Sequence, residues 1–412
     1  MYVNSSAYRK QYSCETTLIN LTERWKMARD ERLSVNILST DMSKAFDSMH
    51  PPLLLSKLKA YGAQDTCLRL LESYLSDRRN RVRMGKDLSS YSTVNRGCPQ
   101  GSALGPLLWN IFQNDLPMSV NTELSMYADD HQIYHCGQDP GVVTAKLSAS
   151  AELATAWYES NLLAGNLKKY QTLSIGYGKK ANASVDSISR ISINNQEIRS
   201  ADSLKLLGVT IDSQLNFSEH ISIACKNAGR RIGVLMRLRN LIPTNAKLVL
   251  YKSAVLPYLT YCHLTWHFCK ASDSRKLERL QERALRAVFK DWNCTYHELL
   301  IKANLSTLRN RRLQDICILM YKVKNGLCPS GISDLFSKKN TNYNLRLSDF
   351  VIPRFHTVTY GKHSLRYMGA KLWNSLPRAE RSIDSLKSFK VTMRKKDFEF
   401  IENCKGCALC SA

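Results

Sequence analysis

TELSMYADDHQIYHC, residues 122–136, is the stretch on which the reading of this chain turns. Leu124, Met126 and Ala128 alternate with Ser125 and Tyr127, the period-2 pattern of a strand with one buried face. A second extended run, Gln132-Ile133-Tyr134, follows at once, so Asp129 and Asp130 fall at or beside a tight reversal. Asp is a favoured turn residue, and an ordinary surface turn would place one there too. Four letters recur by chance, and the rest of the chain has to decide between a turn and a site.

Bulk properties narrow the choice. The chain has 412 residues, enough for two or three domains, and a net charge of +24. Residues 1–150 carry 17 Lys+Arg against 15 Asp+Glu, whereas residues 151–412 carry 42 against 20. A nearly neutral part followed by a strongly basic one points to a polyanionic partner, and solubility alone needs far less charge. Thirteen cysteines, an odd number and mostly scattered, do not form a disulfide framework. With no secretory signal in MYVNSSAYRK, the expectation is an intracellular chain with mostly reduced thiols. No apolar run reaches the length of a membrane span, so no membrane partner is expected.

Along the chain, residues 15–32 have helical spacing at Leu18, Leu21 and Trp25. RLSVNILSTDM is extended, with Val35 and Ile37 alternating with polar neighbours and Asp41 near the strand's end. HPPLLLSKLKAYG predicts a helix with prolines at its start and Gly62 as its stop. NRVRMGKDLSSYSTVNRG predicts a hairpin turning at Gly85-Lys86. CPQGSALGPLLWNIFQNDLP predicts a loop entering an amphipathic helix through Leu107, Leu108, Ile111 and Phe112. Residues 141–163 predict another helix. Strand candidates follow in YQTLSIGYG and SISRISINNQEI, and a hairpin-like piece in LKLLGVTIDSQLNF. From about residue 218 helices dominate, one of them with a face of Leu277, Leu280, Ala284 and Val288. Soft boundaries fall near 215 and 290.

A strand ending in one carboxylate and a hairpin carrying two more can meet on one sheet. Three converging aspartates are what a pair of hard divalent cations needs. Two such ions, about 3.5–4 Å apart, stabilise both the attacking and the leaving oxygen of a phosphoryl transfer. Asp41, Asp129 and Asp130 are the candidate catalytic residues and metal ligands, with Mg²⁺ expected and Mn²⁺ as the substitute.

LSTDMSKAFDSMH, NRGCPQGSALGPLLWNIFQNDL and LSMYADDHQIY, in that order and spacing, resemble the palm motifs of reverse transcriptases. SKAFD with GCPQGSALGPLL is most similar to non-LTR (LINE-type) retrotransposons. The likeness extends upstream to YRKQYSCETTL. Downstream it takes in LLAGNLKKYQTLSIG, LKLLGVTIDSQLNFSEHI and LPYLTYCHLTW with RKLERLQERALRAVF, so it covers at least residues 8–290. It implies an α+β fold: a right-hand polymerase palm, an antiparallel sheet with packed helices, followed by a helical thumb and a mostly helical C-terminal region. The division implied is a remnant of fingers over 1–40, palm over 41–215, thumb over 216–290, and a basic region with a Cys-rich tail over 291–412.

The resemblance implies an RNA-directed DNA polymerase that uses an RNA template, a DNA primer and dNTPs. Phe46 would stand against the sugar of the incoming nucleotide and disfavour a 2′-hydroxyl by steric clash, although a plain core Phe would read the same way. Gln100 and Gly101 match the loop that contacts template and nucleotide. Lys169, or its neighbour Lys168, matches a basic residue near the leaving pyrophosphate. GVTIDSQLNF resembles the hairpin that holds the primer end. Arg230, Arg231, Arg237 and Arg239 in NAGRRIGVLMRLRN would contact phosphates from the thumb, or else form a solvated basic face. Cys404, Cys407 and Cys410 have C-x2-C-x2-C spacing, one ligand short of a structural zinc site.

Two departures set a competing reading beside this one. Most of the fingers expected ahead of Asp41 is not matched, which suits a truncated, catalytically inactive nucleic-acid-binding relic. His131 stands where the family pattern calls for a smaller or apolar residue, and it either perturbs the hairpin or sits in it harmlessly.

Overall fold

A computed structural model describes residues 5–42, 44–120, 122–176, 190–338 and 349–398, with the backbone alone at Asp41 and Lys168. Cys404, Cys407 and Cys410 lie outside the described residues. The chain groups into two compact units: Met1–Tyr12 with Leu33–Ala201, and Ser13–Arg32 with Asp202–Ala412. The division at 201/202 precedes the change from strands to helices near 215.

The first unit is built on β1 (Ser34–Asp41). Between β1 and the next long strand lie four short ones: β2 (Arg78–Asn80), β3 (Arg83–Met84), β4 (Asp87–Leu88) and β5 (Ser92–Val94). They pair as β2 with β5 and β3 with β4, a nested hairpin whose tip is Gly85-Lys86, where the sequence placed it. Then come β6 (Glu123–Tyr127), β7 (Asp130–Gly137), β8 (Gln171–Ile175), β9 (Arg190–Ile193) and β10 (Gln196–Ala201). The main sheet has the order β6-β7-β1-β8-β10-β9 and is antiparallel except for the β8/β10 pair. The unit is α+β.

β1 is central, and that changes its burial. Val35, Ile37 and Leu38 are buried, but so are the polar residues Asn36 and Thr40. Asn36 donates Nδ2–H to Thr144 Oγ1 on the helix Pro140–Ser160 (2.8 Å), while its buried Oδ1 has no hydrogen-bond partner among the described residues. The same correction applies to β6, where Leu124, Ser125 and Met126 are buried in succession instead of alternating. Period-2 alternation describes a strand open to water on one face; a covered strand buries both.

The helix Gly105–Phe112 also departs from expectation. Leu108, Trp109 and Phe112 are buried, whereas Leu107 is 47% exposed. Trp109 takes the place the sequence reading assigned to Leu107. The core gathers Leu38, Leu54, Leu108, Trp109, Phe112, Ile133, Leu147 and Tyr158 from helices and sheet alike.

In the second unit, β11 (Ser203–Leu206) and β12 (Val209–Asp212) form a hairpin, and helices follow. The helix Ser218–Arg237 buries Ile221, Ala224, Ala228, Ile232 and Leu235, an i, i+3, i+4 stripe, and leaves Arg230, Arg231 and Arg237 exposed. In Ala271–Phe289 the face of Leu277, Ala284 and Val288 is fully buried, with Leu280 half-buried beside it. Leu308–Lys324 is the most enclosed helix, and its Leu313, Ile316, Met320 and Tyr321 pack with Trp373 and Phe389. The helix Cys14–Asp30 starts at a capping box between Ser13 and Thr16 and belongs to this unit. Its last residue, Asp30, is buried and accepts from the backbone N–H groups of His356 and Thr357 and from the Thr357 hydroxyl (2.7–3.2 Å). Among the described residues no helix is long and apolar enough to cross a membrane, and every cysteine is free.

Candidate active site

The register of β1 against β7 makes Asp41 and Asp130 direct Cα partners at the end of the central strand pair. β6 and β7 are joined by only Ala128 and Asp129, flanked by the pair Tyr127–Asp130. The reading of a tight reversal holds. Ala128 takes φ +55°, a left-handed conformation that costs a non-Gly residue about 1–3 kcal/mol. It is held there: the buried Trp109 indole donates Nε1–H to the Ala128 carbonyl at 3.0 Å. Backbone strain is thus stored at the tip that carries the carboxylates.

Directly behind that tip stands the residue that looked out of place. His131 is fully buried, and its Cα partner on β1 is Thr40, the neighbour of Asp41. His131 Nδ1 meets the Tyr158 hydroxyl at 2.9 Å, and the same hydroxyl meets Thr40 Oγ1 at 3.0 Å. His131 Nε2 meets Gln113 Oε1 at 2.9 Å; Gln113 donates to Asn110, and Asn110 donates to the Ala7 carbonyl. One assignment satisfies every member: Thr40 donates to Tyr158, Tyr158 to Nδ1, and Nε2–H to Gln113. That imidazole is neutral, and desolvation pushes its pKa down to about 4. His131 neither perturbs the hairpin nor sits there idly. It ties β1, β7 and two helices together one residue behind the aspartates.

On the carboxylate side, Asp129 and Asp130 are half-buried. Asp129 has no hydrogen bond or ion pair among the described residues. Its charge is felt by the Tyr8 phenol, whose pKa is raised chiefly by desolvation and secondarily by Asp129. Among the described side chains no three His, Cys, Asp or Glu gather as a metal cluster, and the Asp41 side chain is not among those described. Two adjacent half-buried carboxylates, one of them uncompensated, are hard oxygen donors that fit a hard divalent cation.

The other candidates fall into two groups. Phe46 is half-buried, its ring 5.2 Å from Trp109 and edge-on to Tyr8 at 6.2 Å. The chain around it is clamped to the Gly-rich loop: Gly97 N–H donates to the Met49 carbonyl (2.7 Å), and Cys98 N–H to that of Phe46 (3.3 Å). Gly97 has φ +74°, and a Cβ there would lie 2.6 Å from the Phe46 carbonyl oxygen. Gln100 is exposed, and its amide donates to both Asp47 oxygens (2.9 and 3.1 Å); Gly101 is exposed with φ +81°. Phe46, Gln100 and Gly101 are therefore brought together. Lys169 is exposed in a short 3-10 turn, Leu167–Lys169, that leads into β8. Arg230, Arg231, Arg237 and Arg239 are all exposed in the second unit.

Seven residues escaped the sequence reading. Trp109, Tyr8 and Asp47 carried no pattern of their own, and their neighbours in space are remote in sequence. Arg79, Arg81, Arg83 and Lys86 did carry one: they stand exposed on the β2–β5 hairpin, which had been read for its turn and not for its charge.

The model of the family described as "Reverse transcriptase (RNA-dependent DNA polymerase)" matches residues 2–211. A probable RNA-directed DNA polymerase from transposon BS of Drosophila melanogaster is 28% identical over 307 residues, covering 70% of this chain and 32% of that protein. The RNA-directed DNA polymerase from mobile element jockey of the same fly is 29% identical over 259 residues, covering 60% and 28%. The chain thus spans about a third of the length of these curated relatives. A telomerase from Candida albicans in complex with a fragment of telomeric RNA aligns at 12% identity over 76% of this chain and 53% of its own, with a TM-score of 0.34, a likeness too loose to bear on the fold. From the matched model, and from the aspartates at one end of its sheet, the chain belongs to the reverse transcriptase family, in its non-LTR, LINE-type branch.

Proposed function

We propose that this chain is the polymerase portion of a non-LTR retroelement and extends a DNA primer on an RNA template. The observation that carries this is the register that sets Asp41 opposite Asp130, with Asp129 on a strained two-residue tip between β6 and β7. Reverse transcriptases generally use divalent metal ions. Here Asp41, Asp129 and Asp130 would hold Mg²⁺. When bound, the ions would polarise the primer 3′-hydroxyl and neutralise the triphosphate.

The chain's own residues then position the reactants, and positioning supplies much of the acceleration in such reactions. Phe46, backed by Trp109, forms a wall against the sugar and crowds a 2′-hydroxyl. Gln100, oriented by Asp47, faces the nucleotide and template from a loop whose glycine allows close backbone approach. Lys169 neutralises charge at the departing pyrophosphate. The first unit acts as palm, and the hairpin β11–β12 with the helix Ser218–Arg237 acts as primer grip and thumb. Arg230, Arg231, Arg237 and Arg239 contact backbone phosphates without reading sequence.

Primer extension on poly(rA)–oligo(dT) with Mg²⁺ and labelled dTTP tests this reading. Incorporation by the wild-type chain and its loss in Asp129→Ala are expected. No incorporation by the wild type, with salt-sensitive duplex binding retained, would replace the polymerase with a nucleic-acid-binding relic. Activity that survives Asp129→Ala would sink the site assignment.

A further inference from the structure

We infer that the second unit carries a nucleotide pocket of its own, which takes one phosphate and its nucleoside from a single-stranded nucleic acid. The pocket is a cavity of about 420 Å³ lined from the helices Tyr296–Ala303 and Leu308–Lys324 and the end of Leu386–Lys395. That volume is in the range of small-ligand sites and larger than one oxyanion requires.

The cationic side is built from Arg311, Arg394, Lys395 and Lys396, and Asp397 is the one carboxylate among the lining residues. Two of these cations are already paired. Arg394 is held by Asp315 and by Gln314 Oε1, and Lys396 by Glu380 at 2.7 Å. Arg311 and Lys395 have no ion pair among the described residues. The Arg311 Nε is buried without a hydrogen-bond partner, which is costly for a charged donor. Burial and, after it, the neighbouring Arg394 lower the Arg311 pKa, and Asp315 offsets this only in part, so an incoming anion would relieve the cation further.

The helix N-terminus at Thr307 does not provide the anion contact. The N–H groups of Leu308 and Arg309 already donate to Glu278, and that of Asn310 to Thr307 Oγ1. Charge recognition rests on side chains. Leu300, Leu305 and Ile301, the last 66% exposed, give the cavity an apolar contact surface, interleaved with His297, Asn304 and Ser306. A phosphate on Arg311 and Lys395 with a base against Ile301 uses both surfaces. Only an unpaired strand can offer a base this way, because a duplex keeps its bases stacked inside.

The test is fluorescence anisotropy of a labelled single-stranded RNA with the full chain, without divalent ions or dNTPs, so that the readout does not depend on the polymerase site. Arg311→Met and Lys395→Gln should each weaken binding about 5- to 10-fold at moderate salt. Each should lower the slope of log affinity against log salt by about 0.7, the single-strand value per phosphate. Ile301→Asp, an exposed change that spares the core, should weaken binding as much, and Lys390→Gln, exposed but off the pocket, about 2-fold or less. Unchanged affinity and slope in Arg311→Met and Ile301→Asp would overturn the proposal. So would saturable binding of inorganic phosphate or free mononucleotide that is lost in Arg311→Met while RNA binding is untouched, because the site would then serve a free anion.

Discussion

The polar groups buried behind the aspartates of the first unit differ in charge from those buried along the helix Cys14–Asp30 of the second. Behind its aspartates the first unit buries a neutral chain, Thr40–Tyr158–His131–Gln113–Asn110, in which each hydrogen bond joins uncharged partners. The second unit buries charge: Lys26 with Glu23 at 3.1 Å, both 3% exposed, and Asp30 against the backbone at Thr357. A neutral network behind Asp129 and Asp130 adds no cation to compete with a metal at the site proposed for them. The Lys26–Glu23 pair lies within one helix, and Glu23 also accepts from the Arg366 N–H at the start of the helix Leu365–Ser375, so these charges serve packing alone. The same contrast separates carboxylates that are satisfied from one, Asp129, that is not.

The largest effect expected is on that unsatisfied carboxylate. Asp129→Ala should lower incorporation by about 10³-fold or more, equivalent to roughly 4 kcal/mol of barrier, while the thermal unfolding midpoint stays within a few degrees of wild type. A large fall in the midpoint would mean that Asp129 is structural, and the contrast would fail. Next comes Asp30→Ala in the second unit. Losing the acceptor for several buried donors should cost on the order of 3 kcal/mol of stability, read by urea denaturation.

His131→Leu probes the neutral network. It leaves Gln113 Oε1 unpaired and the Tyr158 hydroxyl with Thr40 alone, and should cost about 2 kcal/mol, with kcat reduced more than KM for dNTP because the aspartate tip loosens. If stability falls and kcat does not, the network supports the fold alone.

Acid weighs on both units, since His131 and His220 alike are buried neutral imidazoles with pKa pushed down to about 4 by desolvation. His220 in the second unit is buried, accepts from the Thr210 N–H through Nδ1, and has its pKa lowered to about 4 by desolvation. The unfolded chain takes up that proton near pH 6.5 and the folded chain only near 4. Its contribution is therefore present above pH 6.5 and lost as pH falls towards 4, on the order of 2–3 kcal/mol. Equilibrium unfolding of wild type and His220→Gln across pH 7 to 4 should show a shallower decline in the variant; parallel curves would remove His220 from the account. The smallest effect is on the exposed face. Arg237→Gln should weaken RNA–DNA duplex binding about 2- to 4-fold and leave stability unchanged, as a screened single phosphate contact does.

Much of this was legible in the chain. The hairpin at Asp129, the strand ending at Asp41, the helix after Pro51 and the basic helix at Arg230 and Arg237 all lie where residue spacing places them, because each is a local pattern of burial or turn chemistry. Ser125, Asn36, Leu107 and Trp109 were misjudged for one common reason: their exposure depends on what covers them. A strand's own alternation cannot reveal whether it lies at the centre of a sheet.

By itself, then, the sequence determined the order of elements, the choice of the three aspartates as candidates and the sign and place of the charge. Those properties live in nearest neighbours, in short periods and in composition. Only the tertiary structure decided that Asp41 faces Asp130 in register, that Trp109 holds the strained Ala128, and that His131 is a neutral link between two strands and two helices. Each of these joins residues far apart in the chain. A buried hydrogen bond or a cross-strand register is fixed by the packing that brings its partners together and keeps water out, and no stretch of sequence carries that information alone.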